Sequence, residues 1–207
     1  MVADMTNIDF AKSALIAVDV QNDFCPGGAL AVADGGSVVA PLNDLALRFN
    51  AANAPVIATQ DWHPAGHSSF LSSLSSGRAP AEGEVLWPDH CVQGTAGAEF
   101  HKDLNMNAVT LIVRKGFRPS IDSYSAFFEN DRKTATGLGY FLKGLGIEAL
   151  YMGGLATDYC VFFSAMDALK LGFKVYILRD AVRGVNYPEG SVEKALSAME
   201  SAGVSMI

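Results

Sequence analysis

The sequence predicts an α/β fold, a three-layer sandwich in which a mostly parallel, six-stranded sheet carries helices on both faces. Apolar segments alternate along the 207 residues with segments of helical periodicity, which favours an open sheet with right-handed crossovers. Most of the apolar segments are continuous, as expected of strands that are covered on both faces. A chain of this length fits one domain, residues 1–207.

The first half of the chain supplies three predicted strands and one predicted helix. The strands are expected at 14–20, 55–60 and 108–115. The helix is expected at 38–53, because apolar residues recur there at helical spacing: Val39, Leu42, Leu45, Ala46 and Phe49. The connection 61–107 is long, and long ordered connections in compact domains usually build a functional site.

The second half alternates helices and strands more regularly. Helices are predicted at 135–146, Tyr159–Leu171 and Glu189–Ala202, and strands at 148–154, 173–180 and 204–207. The middle helix is the clearest, since its apolar residues share one face: Phe162, Ala165, Met166 and Leu169. Pro188 is expected to open the last helix, where proline is tolerated. The connection 116–134 is again long enough to contribute to a site.

Charge and composition argue against several classes of protein. A net charge of −7 and a pI near 5.0 predict neither a nucleic-acid partner nor an anionic membrane partner, because no basic surface is available. No apolar run approaches the ~20 residues that span a bilayer, and the N-terminus does not read as a signal peptide. Three cysteines without CxxC spacing suggest reduced thiols in a cytoplasmic protein. The sequence leaves open whether the protein forms a homo-oligomer.

Three reactive side chains follow predicted strands. In such a sheet, ligands bind beyond the carboxyl ends of the strands. Asp19 ends the first strand, Lys115 ends the third, and Cys160 follows the glycine turn after the fourth. Each alone has a simpler interpretation, namely a turn residue, an exposed lysine and an inert buried thiol. Because the topology gathers all three at one edge, we predict that they form a catalytic set.

These groups suit acyl transfer through a thioester. The start of the helix near Asp158 and the Lys115 ammonium are expected to favour the Cys160 thiolate, whose ordinary pKa is about 8.5. Asp19 can accept the thiol proton and later deprotonate a water. The N–H groups of Cys160 and Ala156, presented after a glycine turn, are the predicted oxyanion donors.

Two histidine-containing motifs in the long connection predict a metal site. DWHPAGH supplies Asp61 and His63, which lie two apart on an extended segment and face one side, and WPDHC supplies His90. This ligand set suits a divalent ion, zinc first and iron or manganese as alternatives, with positions open for water or substrate. The alternative is that the histidines only make loop hydrogen bonds. For His67 we prefer a loop-shaping role to that of a fourth ligand.

Aromatic residues next to these motifs predict a slot for a flat ring. Phe24 lies just beyond the first strand, Trp87 is close to His90, and Tyr124 follows Lys115 in the next connection. Each alone is a weak signal. Together with a metal they suggest a substrate ring whose nitrogen binds an open metal position.

Six separated motifs occur in one order: DVQNDFCPGGAL, DWHP..H.SF, WPDHCVQGT, RKGF, DSYSAF and GGLATDYCV. Together they resemble the nicotinamidase/pyrazinamidase branch of the isochorismatase-like hydrolases, over roughly residues 13–185. The resemblance implies a metal-dependent cysteine amidase that converts nicotinamide, and also pyrazinamide, to the acid and ammonia in NAD salvage. It implies the same catalytic, metal and aromatic residues as above, and a cis peptide bond at Leu155–Ala156.

Two other functions remain open. A related hydrolase without a metal, acting on a carbamoyl compound or a vinyl ether, would carry the same three catalytic residues, but the predicted metal ligands argue against it. A non-catalytic binding protein would retain the fold as a scaffold, but every catalytic group is present. The sequence does not set the metal or the range of pyridine and pyrazine amides.

Overall fold

A six-stranded parallel sheet forms the middle layer of the protein. The computed structural model describes residues 8–80 and 85–207. The strands are β1 Ser13–Val18, β2 Val56–Asp61, β3 Leu111–Lys115, β4 Ala149–Leu155, β5 Lys174–Arg183 and β6 Ser205–Met206. Their order is β3-β2-β1-β4-β5-β6, and every neighbouring pair is parallel.

Helices cover both faces of this sheet, which confirms the predicted three-layer α/β fold. The α-helices of the described ranges are α1 Val39–Ala51, α2 Leu138–Gly144, α3 Phe162–Lys170 and α4 Ser191–Ala202. One buried cluster joins α1 to one face of the sheet, and a second joins α2, α3 and α4 to the other face. None of the helices described here is both long and apolar enough to cross a bilayer.

The central strand β1 shows why the apolar run in the sequence is continuous. All six of its residues are buried. Leu15 and Ala17 belong to the cluster on the α1 side, whereas Ala14, Ile16 and Val18 belong to the cluster on the opposite side. Since successive side chains of a strand point to opposite faces, both faces of this strand must be apolar.

Two predicted boundaries are wrong in informative ways. The third strand begins at Leu111 and not at 108, because Met106–Ala108 forms a 3₁₀ turn. Pro188 does not open the last helix. It follows Tyr187 in a cis peptide bond, and α4 begins at Ser191 after Gly190 in a left-handed conformation.

The two long connections lie at the carboxyl edge of the sheet. The connection from β2 to β3 contains short 3₁₀ turns and no α-helix in its described part. Isolated bridges tie its segments together, among them His63 to Val92 and Phe70 to Trp87. The predicted histidine motifs are thereby held beside the ends of the central strands.

Candidate active site

Asp19, Lys115 and Cys160 meet beyond the carboxyl ends of β1, β3 and β4. Lys115 Nζ lies 2.8 Å from Asp19 Oδ2 and 3.4 Å from Cys160 Sγ. All three side chains are buried. The structure therefore brings together the three reactive residues that the sequence places at the ends of separate strands.

Lys115 also contacts a second carboxylate, that of Asp61. The sequence did not indicate this contact. Asp61 is the register partner of Lys115 in the β2–β3 pair, and Lys115 Nζ donates to Asp61 Oδ1 at 2.5 Å and to the Ser123 carbonyl at 2.8 Å. Burial lowers the pKa of Lys115, but Asp19 and Asp61 outweigh it and hold that pKa well above its ordinary value. Lys115 is therefore a permanent cation between two carboxylates.

Asp19 is fixed by Thr59, a residue that sequence reasoning missed. The Thr59 hydroxyl donates to Asp19 Oδ1 at 2.6 Å, and the Asp19 N–H donates back to Thr59 Oγ1 at 3.1 Å. Asp19 itself has a left-handed backbone, with φ of 47°. Burial raises the pKa of Asp19 above its ordinary value, although Lys115 opposes that rise. Protonation of this carboxylate is therefore easier than for an exposed aspartate.

Cys160 lies in a single π-helical turn, Thr157–Val161, that precedes α3. Burial raises the pKa of the Cys160 thiol well above its ordinary value, and the Lys115 charge only partly opposes this. The expected resting thiolate is therefore not favoured. The resting group is a thiol that needs a nearby base, and Asp19 is near enough to serve, since an oxygen of Asp19 and the Cys160 sulfur lie within 4.8 Å of each other.

The turn before Cys160 requires glycine. Gly154 has φ of 122°, and a Cβ at that position would lie 2.0 Å from the Val18 carbonyl oxygen of β1. The following Leu155–Ala156 peptide bond is cis, as the family resemblance implied. Ala156 and Cys160 both line the same cavity, so the two predicted oxyanion donors belong to residues that face one space.

Asp61, His63 and His90 form a buried group of potential metal ligands. One ligand atom from each lies within 4.8 Å of the others. His63 Nδ1 lies 2.8 Å from the Gly116 carbonyl, and His90 Nδ1 lies 2.7 Å from the Pro88 carbonyl. Each ring donates its Nδ1–H there, which leaves an Nε2 lone pair free for a metal. This donor set fits a divalent ion.

His67 has both ring nitrogens engaged. Its Nδ1 accepts from the Ser69 N–H at 3.2 Å and lies 2.7 Å from the Ser69 hydroxyl, while Nε2 lies 3.3 Å from the Ile121 carbonyl. The His67 and His63 rings pack together with centroids 4.4 Å apart and planes tilted by 31°. These contacts support the loop-shaping interpretation over a fourth ligand.

An aromatic cavity opens onto both groups. Phe24, Trp87 and Tyr124 line it together with Asp61, His63, His90 and Cys160. The Trp87 indole N–H donates to the Tyr124 hydroxyl at 3.1 Å, which fixes the two rings relative to each other. Flat aromatic side chains form much of the cavity wall, so the cavity suits a planar ring.

Four further residues line this cavity: Leu30, Asp122, Tyr159 and Val185. Tyr159 packs edge-on against Trp87 with centroids 4.9 Å apart. Its position next to Cys160 was a signal that could have identified it. Val185 follows β5 in a stretch without any chemical pattern, so nothing in the sequence pointed to it.

Comparison with known proteins is consistent with this geometry. A family model described as the isochorismatase domain matches residues 13–207. The chain is 44% identical over 198 residues to the nicotinamidase of Escherichia coli (strain K12), covering 93% of each protein.

Two solved structures are similar over nearly their whole length. A nicotinamidase/pyrazinamidase from Acinetobacter baumanii has a TM-score of 0.88 and 48% identity, with 95% of this chain and 96% of that chain covered. The pyrazinamidase of Pyrococcus horikoshii, solved in complex with zinc, has a TM-score of 0.80 and 41% identity, with 95% and 98% covered.

Proposed function

The chain belongs to the isochorismatase domain family, and from that membership we propose that it is a metal-dependent nicotinamidase. It converts nicotinamide to nicotinate and ammonia, and it accepts pyrazinamide as a second amide. The observation that carries the proposal is the contact set of Asp19, Lys115 and Cys160 beside an aromatic cavity. Similarity to an enzyme named nicotinamidase over 93% of the chain supports the same substrate.

We propose that the cavity binds the pyridine ring between aromatic side chains. Phe24, Trp87 and Tyr124 supply flat apolar surface, and an aromatic ring in such a slot gains contact area and favourable ring packing. Asp61, His63 and His90 would hold the divalent ion, which, when bound, supplies a Lewis-acidic contact for the ring nitrogen. Zinc is the first candidate, with iron or manganese as alternatives.

In the proposed first step, Cys160 attacks the amide carbonyl. The thiol proton moves to Asp19 as the C–S bond forms, and the carbonyl π electrons move to the oxygen. The N–H groups of Ala156 and Cys160 stabilise that oxyanion. Asp19 then delivers the proton to the amide nitrogen, the C–N bond breaks, and ammonia leaves a thioester on Cys160.

In the second step, a water replaces ammonia. Asp19 takes a proton from the water as its oxygen bonds to the thioester carbon. The C–S bond then breaks, Asp19 returns the proton to the Cys160 sulfur, and nicotinic acid is released, which loses its carboxyl proton to water and becomes nicotinate. Throughout, the Lys115 charge stabilises the anionic forms of both residues, which lie 2.8 and 3.4 Å from its Nζ.

We further propose a cytoplasmic enzyme of NAD salvage that is built as one domain. The three cysteines are buried and unpaired, which suits a reducing compartment. The sheet runs from Ser13 to Met206, which supports one domain. We propose that nicotinamide is its small-molecule partner and that it needs neither nucleic acid nor membrane.

The test is ammonia release from nicotinamide before and after chelation of the metal. The proposal predicts release by the purified protein, loss of release when the metal is removed, and recovery on adding back zinc, iron or manganese. Unchanged release from protein whose metal content has fallen to zero would contradict metal dependence. Release from a carbamoyl compound and not from nicotinamide would favour the metal-independent hydrolase instead.

A further inference from the structure

The Asp158 side chain links the turn that carries Cys160 to a distant part of the chain. Asp158 is 7% exposed. Its Oδ1 accepts from the Val185 N–H at 3.0 Å, and its Oδ2 accepts from the Asn186 N–H at 2.9 Å and from the Ser191 hydroxyl at 2.5 Å. The three donors lie 27, 28 and 33 residues further along the chain. Its hydrogen bonds therefore act across the molecule.

These contacts hold residues 184–190, which we call the tethered segment. A second bond comes from the same turn, since the Tyr159 hydroxyl donates to the Tyr187 carbonyl at 2.5 Å. The packing is tight as well, because a Cβ on Gly184 would lie 2.2 Å from Val192 Cγ2 and 3.0 Å from Asp158 Oδ1. The turn that carries Cys160 therefore fixes the position of the tethered segment.

Val185 is the residue by which the tethered segment reaches the cavity. The wall there consists mainly of aromatic and polar side chains, and Leu30 and Val185 are its two large aliphatic members. The Val185 N–H is one of the three groups that donate to Asp158. Any shift of the tethered segment would therefore move an apolar wall of the substrate slot.

We propose that Asp158 is a positioning residue that sets the width of the slot by fixing Val185. The inference rests on the proposed function and adds a limit on the substrate class. The enzyme prefers planar six-membered heteroaromatic amides without a ring substituent on the Val185 side. A tight apolar wall discriminates against one extra methyl group by roughly 10–200-fold.

The chemistry of the three donors requires a carboxylate. Two N–H groups and one hydroxyl converge on Asp158, and a carboxylate has only acceptors. In Asp158→Asn one oxygen becomes an NH₂ group that faces these donors, so at least one buried hydrogen bond is lost with little change of volume. Asp167 offers a matched control, since it is a buried aspartate on α3 that pairs with Arg132 and Lys170.

The experiment compares kcat/KM for nicotinamide with kcat/KM for a ring-methylated nicotinamide. We expect Asp158→Asn and Val185→Ala each to lower this ratio at least about fivefold, and Asp167→Asn to leave it unchanged. If Asp158→Asn lowers kcat/KM equally for both substrates, its role is only structural and the inference is overturned. Should that variant fail to fold, Ser191→Ala removes a single donor and must shift the ratio in the same direction.

A second readout does not need catalysis. Hydrogen exchange at the Val185 and Asn186 amides is expected to accelerate in Asp158→Asn and to stay unchanged in Asp167→Asn. Equal exchange rates at these two amides in both variants would show that Asp158 does not hold the tethered segment. If the unaltered protein releases no ammonia from nicotinamide, the proposed function fails, and the exchange experiment still decides whether Asp158 fixes the tethered segment.

Discussion

Lys115 Nζ lies 3.4 Å from Cys160 Sγ, although 45 residues separate the two along the chain. The same ammonium contacts Asp19 and Asp61. One buried cation is therefore shared by the nucleophile, by the proposed proton carrier and by a proposed metal ligand. This sharing couples the stability of the fold to the chemistry of the site.

Lys115→Met should abolish amide hydrolysis and also destabilise the fold. The change leaves Asp19 and Asp61 buried without their cation, and loss of one partner of a buried ion pair costs about 3–5 kcal/mol. Urea unfolding measures this cost. The control is Lys12→Met, which removes an exposed pair with Glu148 and should change stability little. Equal effects of the two changes would contradict the shared-cation account.

His90→Ala should lose metal, whereas His67→Ala should retain it. His90 has an Nε2 lone pair free for an ion, but both nitrogens of His67 are occupied by Ser69 and Ile121. Metal content after dialysis against a weak chelator separates the two variants. Loss of metal from both variants to the same extent would make His67 a ligand.

Gly116→Ala should disrupt the metal site without removing any ligand. Gly116 has φ of 63°, and a Cβ there would lie 2.4 Å from His63 Cε1. Gly137→Ala is the matched control, because φ is 97° and nothing lies within 4 Å of the added Cβ. Both variants bear left-handed strain of about 1–2 kcal/mol, but only Gly116→Ala is expected to lower metal affinity. Equal metal affinity in the two variants would refute the prediction.

Thr59→Val should shift the acid side of the pH–activity profile to higher pH. The Thr59 hydroxyl lowers the pKa of Asp19, against the burial that raises it. Loss of that hydrogen bond raises the pKa of Asp19 further, so less of the ionised carboxylate is present at a given acidic pH. Profiles of kcat/KM for the natural protein, Thr59→Val and Thr59→Ser test this. Thr59→Ser should restore the original position of the acid side, and a profile that moves to lower pH in Thr59→Val would contradict the role.

The gathering of Asp19, Lys115 and Cys160 was predictable because the carboxyl ends of parallel strands share one edge. That rule needs only the approximate position at which each strand ends. An error at the other end of a strand, such as the predicted start of the third strand at 108, therefore did not affect it. The contact of Asp61 with Lys115 was not predictable, since it depends on the β2–β3 register. That register is specified by packing across the sheet and not by any local pattern.

Two other features could not be predicted from the sequence, for different reasons. The protonation of Cys160 depends on how far burial outweighs the Lys115 charge, and motif spacing carries no information about that balance. Val185 lines the cavity and is held there by one hydrogen bond from its N–H to Asp158, which lies 27 residues earlier in the chain. Its own neighbours along the chain give no chemical signal.

The most direct test of the central claim is ammonia release from nicotinamide by Cys160→Ala. The variant removes the sulfur and leaves Asp61, His63 and His90 in place, so it should fold, bind metal and release no measurable ammonia. Ammonia release near the rate of the natural protein, from a folded and metal-loaded variant, would contradict a mechanism in which Cys160 is the nucleophile.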